Sequence, residues 1–253
     1  MNMINSNRYF EELPEDFELL LEGLGSEIRF RIGILLIERG DLSLSKIAAL
    51  IKKEKSNALN HLRKLELGGI IQNYLKKSEV SREFSFYQIT KYGNKIISDL
   101  INCYNNYFQR IDNSNKILLN KQGEIPEEFE FLLKAISKEL RFKLALVLVE
   151  NVRLSFSEIT KLMRMDNSLA KNHLKKLEIG GIIQNYFEKS EGTKDYSFYT
   201  LTDFGKAIVQ NLIESYNSYN SAIEETAGEK LIAPSDISGN RPGQPQPPQR
   251  GLY

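Results

Sequence analysis

Apolar residues in the first part of the chain recur every three or four positions, in two segments that end at glycines. The first segment begins after Pro14, whose ring fits the first turn of a helix, and it ends near Gly25. The second begins at Ser26, which can cap the free amides of a first turn, and it ends at Gly40. The pattern predicts two helices that form a scaffold.

Two shorter helical patterns follow, separated by a polar turn at residues 52–55. Ser45 can cap the first, and Ser56 can cap the second, which carries leucines at positions 59, 62 and 65. Gly68 and Gly69 end the second pattern, because glycine tolerates positive φ. Two helices joined by a tight polar turn form a helix-turn-helix, whose second helix is predicted to enter a DNA groove.

Two strands and a long helix complete this unit. An apolar run at residues 70–76 and an alternating run at Glu83–Ile89 predict the strands, and the charged segment between them predicts a hairpin tip, or wing. Thr90 can cap the last helix, whose apolar stripe is wider than one small domain needs. We therefore expect this helix to pack against a partner helix.

The whole pattern occurs a second time, 112 residues later. NHLRKLELGGIIQNYLKKSE at residues 60–79 returns as NHLKKLEIGGIIQNYFEKSE at residues 172–191, with sixteen of twenty positions identical. The offset holds without a gap from Leu13 and Ile125 to Tyr107 and Tyr219. The chain is thus one unit written twice, and the last helices of the two copies, the second over Asp203–Ala222, are predicted to pair.

The predicted fold class is mainly α with small β-hairpins, in tandem winged helix-turn-helix domains. We predict a loose N-terminus at 1–12, domain one at 13–111, a polar linker at 112–124, domain two at 125–223 and a disordered tail at 224–253. The tail is rich in Pro, Gly and Gln and can dock on a protein that recognises polyproline, or simply remain solvated.

Composition excludes several classes of function. The chain has 253 residues, 41% of them hydrophobic, and it has no apolar run long enough for a membrane span. Because the first residues lack basic and apolar regions of the expected kind, we do not expect a signal peptide. One cysteine, Cys103, rules out an internal disulfide, and neither metal-ligand spacing nor a catalytic constellation is present. We expect a cytoplasmic, nucleoid-associated protein that is not an enzyme and has no cofactor, no metal and no membrane partner.

The net charge of +1 provides little long-range attraction to nucleic acid, but the charge is unevenly distributed. Residues 43–69 hold six bases and two acids, a net of +4, and residues 155–181 hold five bases and three acids, a net of +2. The basic residues therefore collect around the predicted recognition helices.

Each copy resembles the winged helix-turn-helix domains of the ArsR family of prokaryotic transcriptional regulators. The matching segments are LGSEIRFRIGILLIERGDLSLSKIAALIKKEKSNALNHLRKLELGGII with FSFYQITKYG, and SKELRFKLALVLVENVRLSFSEITKLMRMDNSLAKNHLKKLEIGGII with YSFYTLTDFG. The resemblance covers most of residues 23–111 and 135–223. It implies a recognition helix in the major groove of double-stranded DNA, a wing on the DNA backbone or minor groove, and a two-fold interface formed by the first and last helices.

Two departures from the family change what is expected. The metal-sensing branch carries Cys-x-Cys in the helix-turn-helix, whereas residues 45–51 and 157–163 contain no cysteine, so metal sensing there is not expected. The family's usual protein is one unit that dimerises, whereas this chain contains both units. We therefore predict a covalent pseudo-dimer.

Candidate DNA-binding residues lie on the recognition helices, at positions that face DNA in proteins of this type. Asn can bond adenine through two hydrogen bonds, and Lys can donate to guanine; a solvated helix face with caps is the alternative. The candidates on the helices are Lys55, Ser56, Asn57, Asn60, His61, Arg63, Lys64, Asn167, Ser168, Lys171, Asn172, His173, Lys175 and Lys176. The candidates expected to contact phosphates are Arg63, Lys64, Lys175 and Lys176 on these helices and Lys77, Arg82, Lys189 and Lys194 on the wings.

The predicted function is a sequence-specific, DNA-binding transcriptional regulator of prokaryotic or archaeal type. Leu169 stands where the first copy has Asn57, so the two DNA-facing surfaces are not the same. Two other functions fit the same sequence. One is a tandem winged-helix scaffold that binds proteins, favoured by the near-neutral charge and the tail, and the other is an architectural nucleoid protein, expected to be more basic.

Overall fold

The computed structural model of the protein describes residues 13–77, 83–111, 125–189 and 195–232. The predicted N-terminus, linker, wing tips and most of the tail lie outside these ranges. The first part of the chain forms α1 (Glu15–Leu24), α2 (Glu27–Arg39), β1 (Leu42–Ser43), α3 (Leu44–Leu50), α4 (Lys55–Leu67), β2 (Ile71–Lys77), β3 (Glu83–Ile89) and α5 (Lys91–Ile111).

The second part has the same order of elements. It forms α6 (Glu127–Ile136), α7 (Glu139–Glu150), β4 (Leu154–Ser155), α8 (Phe156–Met163), α9 (Asn167–Ile179), β5 (Ile183–Lys189), β6 (Asp195–Leu201) and α10 (Asp203–Ile232). The protein is therefore mainly helical with two small antiparallel sheets, which confirms this part of the predicted fold class.

Each sheet has one strand more than the predicted hairpin. β1 pairs with β3 through Leu42 opposite Tyr87, and β2 pairs with the other edge of β3, so the order is β1-β3-β2. The second sheet has the order β4-β6-β5. Hydrophobic alternation cannot reveal strands of two residues, because the signal needs a longer run.

The structure corrects two predicted helix caps. Ser43, not Ser45, caps α3, because the pairing of β1 with β3 holds Ser43 extended until the helix begins. α4 begins at Lys55 after Glu54, so Ser56 lies inside the first turn. α4 begins before the predicted cap because Lys52, with φ of 54°, reverses the direction of the chain immediately after α3.

The Gly-Gly pair that follows α4 serves two purposes. Gly69 has the predicted positive φ of 68°, but Gly68 does not, since its φ is −78°. Gly68 is needed for space, because a Cβ atom there would lie 2.8 Å from the backbone oxygen of Leu19 in α1. Thr90 caps α5 as predicted, and its Oγ1 accepts a hydrogen bond of 2.8 Å from the amide of Gly93.

The last helix is longer than predicted. α10 continues to Ile232, past the predicted end at Ala222 and into the segment assigned to a disordered tail at 224. Residues 222–232 contain several good helix formers, namely Ala, Glu, Lys and Leu, which outweigh one glycine. The rest of the predicted tail lies outside the described residues.

The two parts of the chain pack together through reciprocal aromatic contacts. The ring centroids of Phe17 and Phe142 are 5.0 Å apart, and those of Phe129 and Phe30, each 112 residues from its counterpart, are 4.9 Å apart. Two further contacts repeat in the same way. They are Phe17–Tyr216 at 4.9 Å with Phe129–Tyr104 at 5.0 Å, and Tyr92–Tyr219 at 4.1 Å with Phe204–Tyr107 at 4.7 Å.

A reciprocal pattern of this kind is what an interface between two equivalent surfaces produces. α5 and α10 carry much of it, so the predicted pairing of the last helices is present in the structure. The two sides nevertheless differ in polarity. On one side of the interface Phe108 packs against Phe204. On the other side the equivalent positions are Asn220, in place of Phe108, and Tyr92, in place of Phe204, and both are buried.

Candidate nucleic-acid interface

α4 separates a buried face from an exposed polar face. Ala58, Leu62 and Leu65 are completely buried, which fixes the rotation of the helix. The opposite side then points to solvent, and it brings six of the predicted residues together. These exposed residues are Lys55, Ser56, Asn57, Asn60, Arg63 and Lys64.

α9 is arranged in the same way. Ala170, Leu174 and Leu177 are buried, and the side chain of Asp166 caps the helix by accepting from the amide of Leu169 at 2.8 Å. Leu169 itself is 39% exposed, so an apolar side chain interrupts the polar face where α4 has Asn57. The exposed candidates are Asn167, Ser168, Lys171, Asn172, Lys175 and Lys176.

The two histidines lie at the edge of these faces and are half-buried. Burial lowers the pKa of His61, and the nearby charges of Arg29, Lys53 and Lys64 lower that pKa further. The pKa of His173 is lowered by burial and then by Arg141 and Lys176. Both imidazoles are therefore held toward the neutral form, which removes their charge as an attraction for phosphate.

Two arginines that the sequence analysis did not single out bond the C-terminal ends of α1 and α6. Arg29 donates from Nε to the backbone oxygen of Gly23 at 2.9 Å and from Nη2 to that of Glu22 at 2.7 Å. Arg141, only 5% exposed, donates from Nε to the oxygen of Ala135 at 2.8 Å. Each guanidinium thus satisfies carbonyls at the end of a neighbouring helix.

Lys64 differs from the other cations on α4 because it already has a partner. Its Nζ lies 2.6 Å from Oε1 of Glu22, and this contact is the largest cause of the lowered pKa of the Glu22 carboxyl. In the second copy the residue equivalent to Glu22 is Lys134, so Lys176 has no acid there. The equivalent lysines therefore differ in how freely they can meet a phosphate.

One further pair of cations at equivalent positions was missed by the sequence analysis. Lys52 and Arg164 are exposed and both adopt the left-handed backbone conformation, with φ of 54° and 50°. They lie in the turns that lead into α4 and α9, beside the exposed polar faces. The sequence could have indicated this pair, because positions 52 and 164 are equivalent in the repeat and both are basic.

The bases of the two wings carry opposite charge. Asp41 accepts a hydrogen bond from the hydroxyl of Tyr74, which raises the pKa of that tyrosine. Arg153 occupies the equivalent position in the second copy, where it pairs with Glu188 and lies 4.8 Å from the ring centre of Phe198. The second hairpin therefore has an arginine, paired with Glu188, where the first has an acid.

Two of the four wing candidates lie within the described residues. Lys77 and Lys189 are the last residues of β2 and β5, opposite Glu83 and Asp195. Arg82 and Lys194 lie outside the described residues. Phosphate contact by these four residues stays a prediction.

The described residues show neither a metal-binding cluster nor a membrane-spanning helix. Within residues 13–77, 83–111, 125–189 and 195–232, no group of three His, Cys, Asp or Glu side chains could hold a metal ion. In the same ranges, none of the helices has the length and apolar character needed to cross a membrane. Comparison of the chain with protein-family models and with curated protein sequences gives no match.

Proposed function

We propose that this protein is a sequence-specific, double-stranded DNA-binding transcriptional regulator built from two tandem winged helix-turn-helix units. One observation carries the proposal. The exposed faces of α4 and α9 display amide, hydroxyl and cationic side chains, among them the exposed side chains of Asn60 and Asn172. Such side chains are free to bond base edges and phosphates.

The reciprocal contacts support action as a covalent pseudo-dimer. A two-fold arrangement of recognition helices suits half-sites about one helical turn apart, roughly 34 Å. The two faces differ, since Asn57 and Leu59 of α4 correspond to Leu169 and Lys171 of α9. We therefore propose an operator with two related but unequal half-sites, occupied by a cytoplasmic protein that performs no catalysis.

Selection of bound sequences from a random double-stranded DNA library, at two salt concentrations, tests this proposal. We expect a motif with two half-sites about ten base pairs apart. Asn60→Ala should erase the preference in one half-site and Asn172→Ala in the other, because each asparagine contacts one half. Gln210→Ala, an exposed position on α10, is the matched control and should leave the motif intact.

The selection also separates the proposal from its rivals. Binding without an enriched motif would indicate an architectural nucleoid protein. Absence of binding even at low salt would refute both DNA functions. In that case a protein-binding scaffold becomes the better proposal, which a specific observation favours: Leu75 is 63% exposed and its equivalent Phe187 is 70% exposed, at matching places on β2 and β5.

A further inference from the structure

A cavity of about 360 Å³ lies between α5 and α10, where the two parts of the chain meet. Its volume is within the range of small-molecule sites, roughly 300–1,000 Å³. Phe204, only 4% exposed, and the half-buried Tyr107 provide an aromatic wall, with their ring centroids 4.7 Å apart. The cavity therefore combines an apolar wall with an accessible polar rim.

The rim of this cavity is acidic. Asp99 and Asp203 contribute carboxylates, Asn211 contributes an amide, and the described lining residues include no lysine or arginine. Asp99 is already satisfied, because its Oδ2 lies 2.7 Å from Nζ of Lys95 and accepts from Oγ of Ser215 at 2.8 Å. Asp203, exposed in the first turn of α10, has no such partner among the described residues and leaves negative charge at the mouth.

The sequence repeat indicates which chemistry suits this environment. Lys91 and Lys95 stand 112 residues before Asp203 and Ala207, two of the cavity's lining residues. Lys95 extends an alkyl chain along α5 and places its ammonium on Asp99, the residue equivalent to Asn211. At the cavity, Ala207 stands where the first copy has Lys95, so the alkyl chain and ammonium of that lysine are absent. Asp203 stands where the first copy has Lys91, so an acid replaces a base.

We propose that this cavity binds a small organic amine, with its ammonium at the rim near Asp203 and Asn211 and an apolar or aromatic body against Phe204 and Tyr107. The carboxylate of Asp203 favours an ammonium at the rim, and the rings of Phe204 and Tyr107 favour an apolar body beside it. The body of the ligand would occupy the space that a longer side chain at Ala207 would fill. The inference rests on the cavity and does not depend on DNA binding.

Calorimetric titration of the full chain with phenethylammonium, and with 2-phenylethanol as its neutral counterpart, tests the proposal. We expect saturable binding of the amine and at least about tenfold weaker binding of the alcohol, because only the amine meets the carboxylate. Ala207→Lys should abolish binding by placing the protein's own aminoalkyl chain in the cavity. Asp203→Asn should weaken binding of the amine but not of the alcohol.

Glu214→Gln is the matched control, because it removes an exposed carboxylate from α10 that does not line the cavity. It should bind the amine as the parent protein does. Thermal unfolding of each variant establishes that it is folded, and Asp203→Asn keeps the test decisive should Ala207→Lys fail to fold. Equal binding of amine and alcohol, full binding by Ala207→Lys, or no saturation up to about 10 mM amine would overturn the proposal.

Discussion

Gly25 and Ser137 occupy equivalent positions in the sequence repeat, and they lie directly against each other. A Cβ atom on Gly25 would be 1.9 Å from the Cβ of Ser137, a distance that no packed structure tolerates. The backbone at Gly25 has φ of −72°, which any residue can adopt, so the requirement for glycine is entirely one of space. The two parts of the chain can pack this closely here because one member of the pair lacks a side chain.

Gly25→Ser should lower the free energy of unfolding by about 1–3 kcal/mol, because two side chains would compete for the space of one. Urea unfolding followed by circular dichroism measures the change. The double variant Gly25→Ser with Ser137→Gly restores a single side chain and should recover most of the loss. If the single variant were as stable as the parent protein, the claim that Gly25 packs directly against Ser137 would be refuted.

Tyr92→Phe should stabilise the protein by roughly 1 kcal/mol. The hydroxyl of Tyr92 is buried without a hydrogen-bond partner in the described structure, and burial raises the pKa of this tyrosine. Phenylalanine occupies the equivalent position, at Phe204. Tyr216→Phe is the matched comparison and should destabilise, since the Tyr216 hydroxyl donates to Oδ1 of Asp16 at 2.6 Å. Thermal melting of both variants tests this prediction, because the melting temperature should rise for Tyr92→Phe and fall for Tyr216→Phe.

Arg63→Ala should weaken DNA binding more than Lys64→Ala. Both side chains are exposed on α4, but the ammonium of Lys64 is held 2.6 Å from Glu22. Loss of one phosphate contact should lower the slope of log affinity against log salt by about 1 for Arg63→Ala. Fluorescence anisotropy across a salt series provides the slopes. Equal changes for the two variants would show that Glu22 does not restrain Lys64.

Acid should destabilise the protein through its histidines. Because the folded state lowers the pKa of His61 and His173 below the ordinary value of 6.5, the unfolded chain binds more protons once the pH falls past that value. Stability is therefore fully present above about pH 6.5 and declines as pH drops toward the folded pKa values. Urea midpoints between about pH 8 and pH 5.5 measure this decline.

The double variant His61→Gln with His173→Gln should show a flatter dependence of the urea midpoint on pH. Carboxylates with lowered pKa values, such as that of Glu22, act at more acidic pH and leave this window largely to the histidines. An unchanged slope in the double variant would assign the pH dependence to other groups.

Much of the fold was predictable because its signals are local. The spacing of apolar residues located the helices, and Thr90 and Gly40 marked a start and an end that the structure confirms. The exposed side of α4 followed from its leucines, because burying them fixes the rotation of the helix. The width of the last apolar stripe correctly predicted that α5 needs a partner.

The features that were not predicted depend on residues far apart in the chain. β1 exists only through its pairing with β3, more than forty positions later. The ion pair of Lys64 with Glu22 also joins positions 42 apart, so no local pattern marks Lys64 as restrained. The roles of Arg29 and Arg141 were missed for the same reason, since an arginine in a helix does not reveal which carbonyls it reaches.

The pairing of Gly25 with Ser137 has a consequence for how this interface can change. In a symmetric homodimer a residue on the axis meets its own copy, so two serines there would collide and two glycines would be required. A single gene that encodes both surfaces allows them to diverge, as Tyr92 and Phe204 have also done. Because the two surfaces are tethered, their association is also unimolecular, and dilution of the protein does not separate them.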